Sequence, residues 1–92
     1  MNKNELVRAV AEKSELTIRD ADAAVNAVVE VITNALQEGD KVQLVGFGTF
    51  EVKKRAARMG RNPRTNDEIE IPEAIVPLFK PGRILKDAVN RI

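Results

Sequence analysis

Residues 53–66 read Lys53-Lys54-Arg55-Ala56-Ala57-Arg58-Met59-Gly60-Arg61-Asn62-Pro63-Arg64-Thr65-Asn66. Six of the fourteen residues are basic and none is acidic. Apolar side chains nearly vanish, so the stretch cannot belong to a core. Val52 runs into it without a break, and beyond it Glu68-Ile69-Glu70-Ile71 alternates polar and apolar at strand period. The economical arrangement is two strands that leave the domain, turn near Asn62 to Asp67, and return. At about 3.3 Å rise per residue, ~10 residues each way would reach roughly 30 Å. An isolated two-stranded ribbon is marginal in water, so such an arm is expected to be mobile until bound.

The flanks supply a sheet for the arm to grow from. Upstream, Val42, Leu44, Phe50 and Val52 alternate around Gly46-Phe47-Gly48, which predicts a β-hairpin with a glycine-containing turn. That Gly-x-Gly is followed by a strand, not a helix, so it fails the context of a dinucleotide-binding loop. Downstream, Ile75-Val76-Pro77-Leu78-Phe79 is strand-like, and Pro77 places it at a sheet edge. Pro81-Gly82 then breaks the chain before a short last helix with Ile84, Leu85, Ala88 and Val89 on one face. Lys80, Arg83 and Lys86 gather around its first turn, where cations oppose the helix dipole. An external anion such as phosphate would remove that conflict; chance placement accounts for it equally well.

The N-terminal part is helical. Asn2 followed by Glu5 resembles a capping box. Leu6, Val7, Val10 and Ala11 then recur at helical spacing to about Lys13. Thr17 with Asp20 marks a second start, and the helix continues to Gly39, a good residue for a C-terminal cap. On this second helix Asp22, Asn26, Glu30, Thr33, Asn34 and Gln37 share an arc of roughly 120°. Ala21, Ala24, Val25, Val28, Val29, Val31, Ile32, Ala35 and Leu36 fill most of the rest. A surface helix needs an apolar stripe of only about 100°, and 92 residues offer little else to cover more. Pairing with a second copy is the expected remedy.

Composition narrows the chemistry. With no Cys and no His, there are no disulfides, no thiolate or imidazole metal ligands and no Ser-His-Asp triad. The remaining carboxylates fall mainly on helix surfaces and caps, and no glycine-rich loop leads into Lys-Ser or Lys-Thr. An enzyme lacks its parts here. The net charge of +1 hides an asymmetry: residues 1–40 carry four basic and eight acidic residues, and residues 41–92 carry eleven and six. Such a split points to a polyanionic partner. No run approaches the ~18 apolar residues that span a bilayer, and Met1-Asn2-Lys3-Asn4-Glu5 lacks a secretory signal's apolar core, so a cytosolic location is expected.

A solvated surface is the usual fate of a charge run. This one is single-signed and would repel itself without a counter-charge. It is rich in Arg, whose planar fork suits phosphate oxygens. It has no aromatic residue to stack on unpaired bases. A thin cationic ribbon of this kind suits a duplex groove. Pro63, at the expected tip, is a compact apolar group able to wedge between base pairs as well as to form a turn.

Gly46-Phe47, Phe50, Arg55, Arg58, Gly60, Asn62-Pro63 and Thr65 are similar, in order and spacing, to the signature of the bacterial histone-like HU/IHF DNA-binding proteins. The resemblance runs from Met1-Asn2-Lys3 through Phe79-Lys80-Pro81-Gly82 to Leu85-Lys86-Asp87-Ala88, and HU is the nearer branch. It implies an α+β fold in an intertwined homodimer: two N-terminal helices as base, a three-stranded antiparallel sheet with a long β-ribbon arm, and a short C-terminal helix. The corresponding division is 1–40 for the helical dimerisation part, 41–80 for the sheet with its arm at about 53–74, and 81–92 for the last helix. It also implies a nucleoid-associated protein whose arms enter the minor groove, with Pro63 as the intercalating tip flanked by Arg61 and Asn62. Four residues depart from the family's habit. Asn66 stands where Gly is common, Met59 where Lys is frequent, and Leu78 and Ile84 are bulkier than usual.

The expected function is therefore architectural and non-enzymatic, without a cofactor: binding duplex DNA with little regard to sequence, then bending and compacting it. Lys53, Lys54, Arg55, Arg58, Arg61 and Arg64 are the expected arm contacts, with Asn62, Pro63 and Thr65 at the tip. Lys80, Arg83 and Lys86 form a second basic patch. The expected dimer core comprises Val25, Val28, Val29, Ile32 and Leu36 on the helix, with Leu44, Phe47, Phe50 and Phe79 on the sheet. A sequence-specific bender of the IHF type and a module gripping acidic protein partners are the alternatives. A paralogous subunit and RNA as a further ligand stay open.

Overall fold

The computed structural model describes all 92 residues. The order is α1 (Lys3–Ser14), α2 (Ile18–Gln37), β1 (Val42–Leu44), β2 (Gly48–Arg55), β3 (Arg58–Arg61), β4 (Glu68–Ile71), β5 (Ala74–Pro81) and α3 (Arg83–Val89). The fold is α+β, in two compact units, Met1–Ala35 and Leu36–Ile92. No helix is long and apolar enough to cross a membrane.

In the first unit each helix starts where its capping residue directs. Asn2 accepts a hydrogen bond from Glu5 N–H at 2.9 Å, and Thr17 Oγ1 accepts one from Asp20 N–H at 3.1 Å. Helix α1 stops at Glu15, whose left-handed backbone (φ +59°) turns the chain. Only Val7, Ala11 and Ala21 are buried, with Val10 and Val25 packed against them. This core uses one side of the broad apolar arc on α2. Val28, Val29 and Val31 remain 57%, 59% and 64% exposed.

In the second unit Gly39 follows α2, its N–H donating to Leu36 O at 3.0 Å. Strands β1, β2 and β5 form an antiparallel sheet in the order β1-β2-β5. The predicted turn is present between β1 and β2: Phe47 N–H bonds Leu44 O at 2.9 Å, and Gly46 supplies the positive φ of +82° that its third position demands. Pro77 sits on β5, an edge strand, as its missing N–H requires. Phe79 lies between Phe47 and Phe50, with ring centroids 5.5 and 4.8 Å away. Helix α3 docks on the turn: Gly82 N–H reaches Phe47 O and Leu85 N–H reaches Gly46 O. The bulky Ile84 lies against Gly46, where a Cβ would come within 2.9 Å of its Cδ1.

The arm corrects one sequence expectation. Its two sides do not run from the sheet without a break. Arg55 pairs with Ala74 and Arg58 with Ile71, and between them Ala56-Ala57 and Pro72-Glu73 leave the ladder. The register is unchanged across the gap, so one hairpin is divided into a proximal part and a distal β3–β4 ribbon. Pro72 has no N–H to donate to the ladder, which accounts for an interruption at this point.

Candidate nucleic-acid interface

Each side of the arm contributes differently. Strands β2 and β3 carry Lys53, Lys54, Arg55, Arg58 and Arg61, all exposed. An open groove of about 570 Å³ lies at the ladder gap, with Lys53, Lys54, Arg55 and Arg58 on one wall and Ile71, Pro72, Ala74 and Val76 on the other. In the distal ribbon Arg58 stands opposite Ile71, Gly60 opposite Ile69 and Arg61 opposite Glu68. Ile71 packs over Gly60, where its Cδ1 would lie 2.7 Å from an added Cβ and would have to shift.

The tip is held by its own polar groups. Asn62 N–H donates to Asp67 O at 2.9 Å, and Asn66 N–H donates to Asn62 O at 2.7 Å. Asn62 Oδ1 accepts from Arg64 N–H at 2.9 Å, an Asx turn around Pro63. Asp67 N–H reaches Thr65 Oγ1 at 3.4 Å. Asn66 takes up the positive φ of +62° that the common glycine would otherwise supply. Pro63 and Arg64 are exposed between these anchors, whereas Asn62 is half-buried. Asn62 and Thr65 thus shape the turn with their side chains, as the sequence suggested for Asn62-Pro63 but not for Thr65.

The charge balance also differs from the expectation. The stretch 53–66 is single-signed, but the returning strand brings Asp67, Glu68, Glu70 and Glu73 beside it. The chain's ion pairs are Lys41–Glu51, Lys54–Glu73, Lys80–Glu51 and Arg83–Asp87. Lys53, Arg55, Arg58, Arg61 and Arg64 therefore have no carboxylate partner. Lys54 has one, with Glu73 at 3.1 Å. Of the second basic patch, Lys80 is bound to Glu51 at 2.6 Å, Arg83 faces Asp87 at 3.9 Å, and Lys86 is unpaired. Lys80 and then Lys41 hold the Glu51 carboxyl below its ordinary pKa. The alternation of β2 and β4 signalled these acids, but their proximity to the basic strand depends on the hairpin register.

Residues expected at a dimer interface are distributed over both units. Val28 and Val29 are exposed, as are Leu44 at 43% and Phe47 at 47%, while Val25, Ile32, Leu36, Phe50 and Phe79 are half-buried. None of the nine is fully buried in a single chain.

Residues 1–90 match the family model of bacterial DNA-binding proteins. DNA-binding protein HU-1 of Halalkalibacterium halodurans is 64% identical over 90 residues, covering 98% of this chain and all of the relative. DNA-binding protein HU 1 of Bacillus subtilis is 62% identical over 89 residues, covering 97% of each. Among solved structures, an Anabaena HU–DNA cocrystal structure superposes with a TM-score of 0.94 at 51% identity over the full length of both chains. HU from Thermotoga maritima gives a TM-score of 0.71 at 38% identity, covering 98% of this chain and all of that one.

Proposed function

The chain belongs to the family of bacterial DNA-binding proteins, and on that premise we propose that it is a histone-like architectural protein that binds, bends and compacts duplex DNA in the nucleoid. One observation carries the reading most of the way: five cations on a narrow ribbon form no ion pair within the chain, although acids lie on the returning strand. A phosphate backbone supplies that charge, and release of its condensed counterions supplies the affinity. Lys53, Arg55, Arg58, Arg61 and Arg64 are the primary phosphate contacts. Lys54, Lys80 and Arg83 must exchange a carboxylate for phosphate, so they contribute less than their charge suggests, and Lys86 adds a contact outside the arm. Pro63 enters between base pairs and kinks the duplex, at a cost of a few kcal/mol that wider wrapping offsets. Selectivity then follows DNA deformability, not base edges.

The functional unit is a homodimer. A single chain exposes 8141 Å², whereas a compact monomer of 10.2 kDa exposes about 5,300 Å². Three small buried side chains cannot hold a fold together alone. A second copy covering Val28, Val29, Leu44 and Phe47, and completing the burial of Val25, Ile32, Leu36, Phe50 and Phe79, supplies the missing core. The direct test is a mobility shift with plain random-sequence duplex at moderate salt, competed by polyglutamate and by an unrelated duplex. Retardation reversed equally by any duplex supports this reading. Reversal by polyglutamate alone would indicate an acidic protein partner, and discrimination among duplexes a sequence-specific bender.

A further inference from the structure

Asn66 is one of two non-glycine residues with positive φ, the other being Glu15. Glycine would serve that backbone at lower cost. Its Oδ1 accepts a hydrogen bond from Arg61 Nη1 at 3.5 Å. Arg61 stands directly across the ladder from Glu68, an arrangement in which opposite charges ordinarily attract. The two nevertheless form no ion pair. The guanidinium's hydrogen-bond partner is thus the neutral carboxamide and not the carboxylate across the ladder.

We propose that Asn66 is a positioning residue for Arg61, holding its guanidinium at the Asn66 carboxamide and out of an ion pair with Glu68. The distinction matters because Glu68 would cancel the charge that a phosphate or groove edge needs, whereas a carboxamide leaves it intact. Arginine has five N–H donors, so the one used on Asn66 leaves four for DNA. Restricting the side chain before binding also lowers the ordering cost of the complex. This inference rests on the duplex-binding reading above and adds a chain-specific determinant to it.

The test is a salt titration of duplex affinity for the parent, Asn66→Gly, Glu68→Gln and the double variant, with circular dichroism to check that each is folded. Glycine keeps the positive φ, so the turn persists and only the acceptor is lost. With Asn66→Gly, Arg61 falls to Glu68 and the slope of log K against log salt becomes shallower by about 0.9 per arm. Adding Glu68→Gln restores the parental slope, a rescue that a purely structural role for Asn66 would not show. Asn66→Asp provides a second arm: it keeps an acceptor but neutralises Arg61 itself, so its slope is also shallower and Glu68→Gln does not restore it. A parental slope in Asn66→Gly, or a reduced slope that Glu68→Gln leaves unchanged, overturns the proposal. Failure of the parent to bind duplex at all would instead overturn the functional reading on which it rests.

Discussion

Pro63 and Glu51 show how much a single position can be asked to do. Pro63 is exposed on a turn fixed by the backbone bonds of Asn62 and Asn66, so replacing it should leave the tip's frame in place. We expect Pro63→Ala to reduce DNA bending, measured by FRET between duplex ends, far more than it reduces affinity; unchanged bending would remove the wedge from the mechanism. Glu51 accepts Lys80 and Lys41 on the sheet, and its lowered pKa links this cluster to pH. A carboxyl whose folded pKa lies below its unfolded value of 4.5 stabilises the fold above that value. The contribution is lost as pH falls through the folded pKa. Glu51→Gln should therefore lower the melting temperature at neutral pH and converge with the parent in strong acid. A constant difference across pH would show that the cluster contributes nothing through ionisation. Asn2, Thr17, Gly46 and Pro63 were legible in the sequence because each acts through local backbone chemistry. The pairings of Glu51 and Glu73 were not, since they depend on which strands become neighbours.

At the scale of elements, the arm is two pieces in one register. The proximal part belongs to a three-stranded sheet, whereas β3 and β4 pair only with each other. A two-stranded ribbon has little stability of its own, and the gap at Ala56-Ala57 and Pro72-Glu73 separates it from the support of the sheet. Amide hydrogen exchange should accordingly be faster in β3 and β4 of the free protein than in β2, with protection appearing in the ribbon when duplex is added. Equal protection of both segments without DNA would contradict this division. The ribbon itself was evident from the alternation on both sides of residues 53–66. Its interruption was not, because Ala56 and Ala57 carry no break signal, and Pro72 acquires its meaning only from the strand opposite it. The same pairing brings four acids beside the basic stretch, so charge read along one strand overstated the arm's net charge.

For the whole molecule, the exposed apolar surface requires an explanation, and a second copy provides one. Val28 lies in the uncovered part of the α2 arc, where a buried, unpaired carboxylate would be costly. We expect Val28→Asp to shift sedimentation from dimer towards monomer with loss of thermal stability; a parent protein that already sediments as a folded monomer would refute the pairing. This feature was readable from helical periodicity because 92 residues contain too few apolar partners for so wide an arc. What periodicity could not supply was the division between the side used by α1 and the side left uncovered. The salt dependence of binding tests the central claim, that unpaired arm cations grip the phosphate backbone. Six or more phosphate contacts predict that affinity for a short duplex falls by roughly a thousand-fold between 50 and 200 mM salt. An affinity that hardly changes across that range would contradict the account.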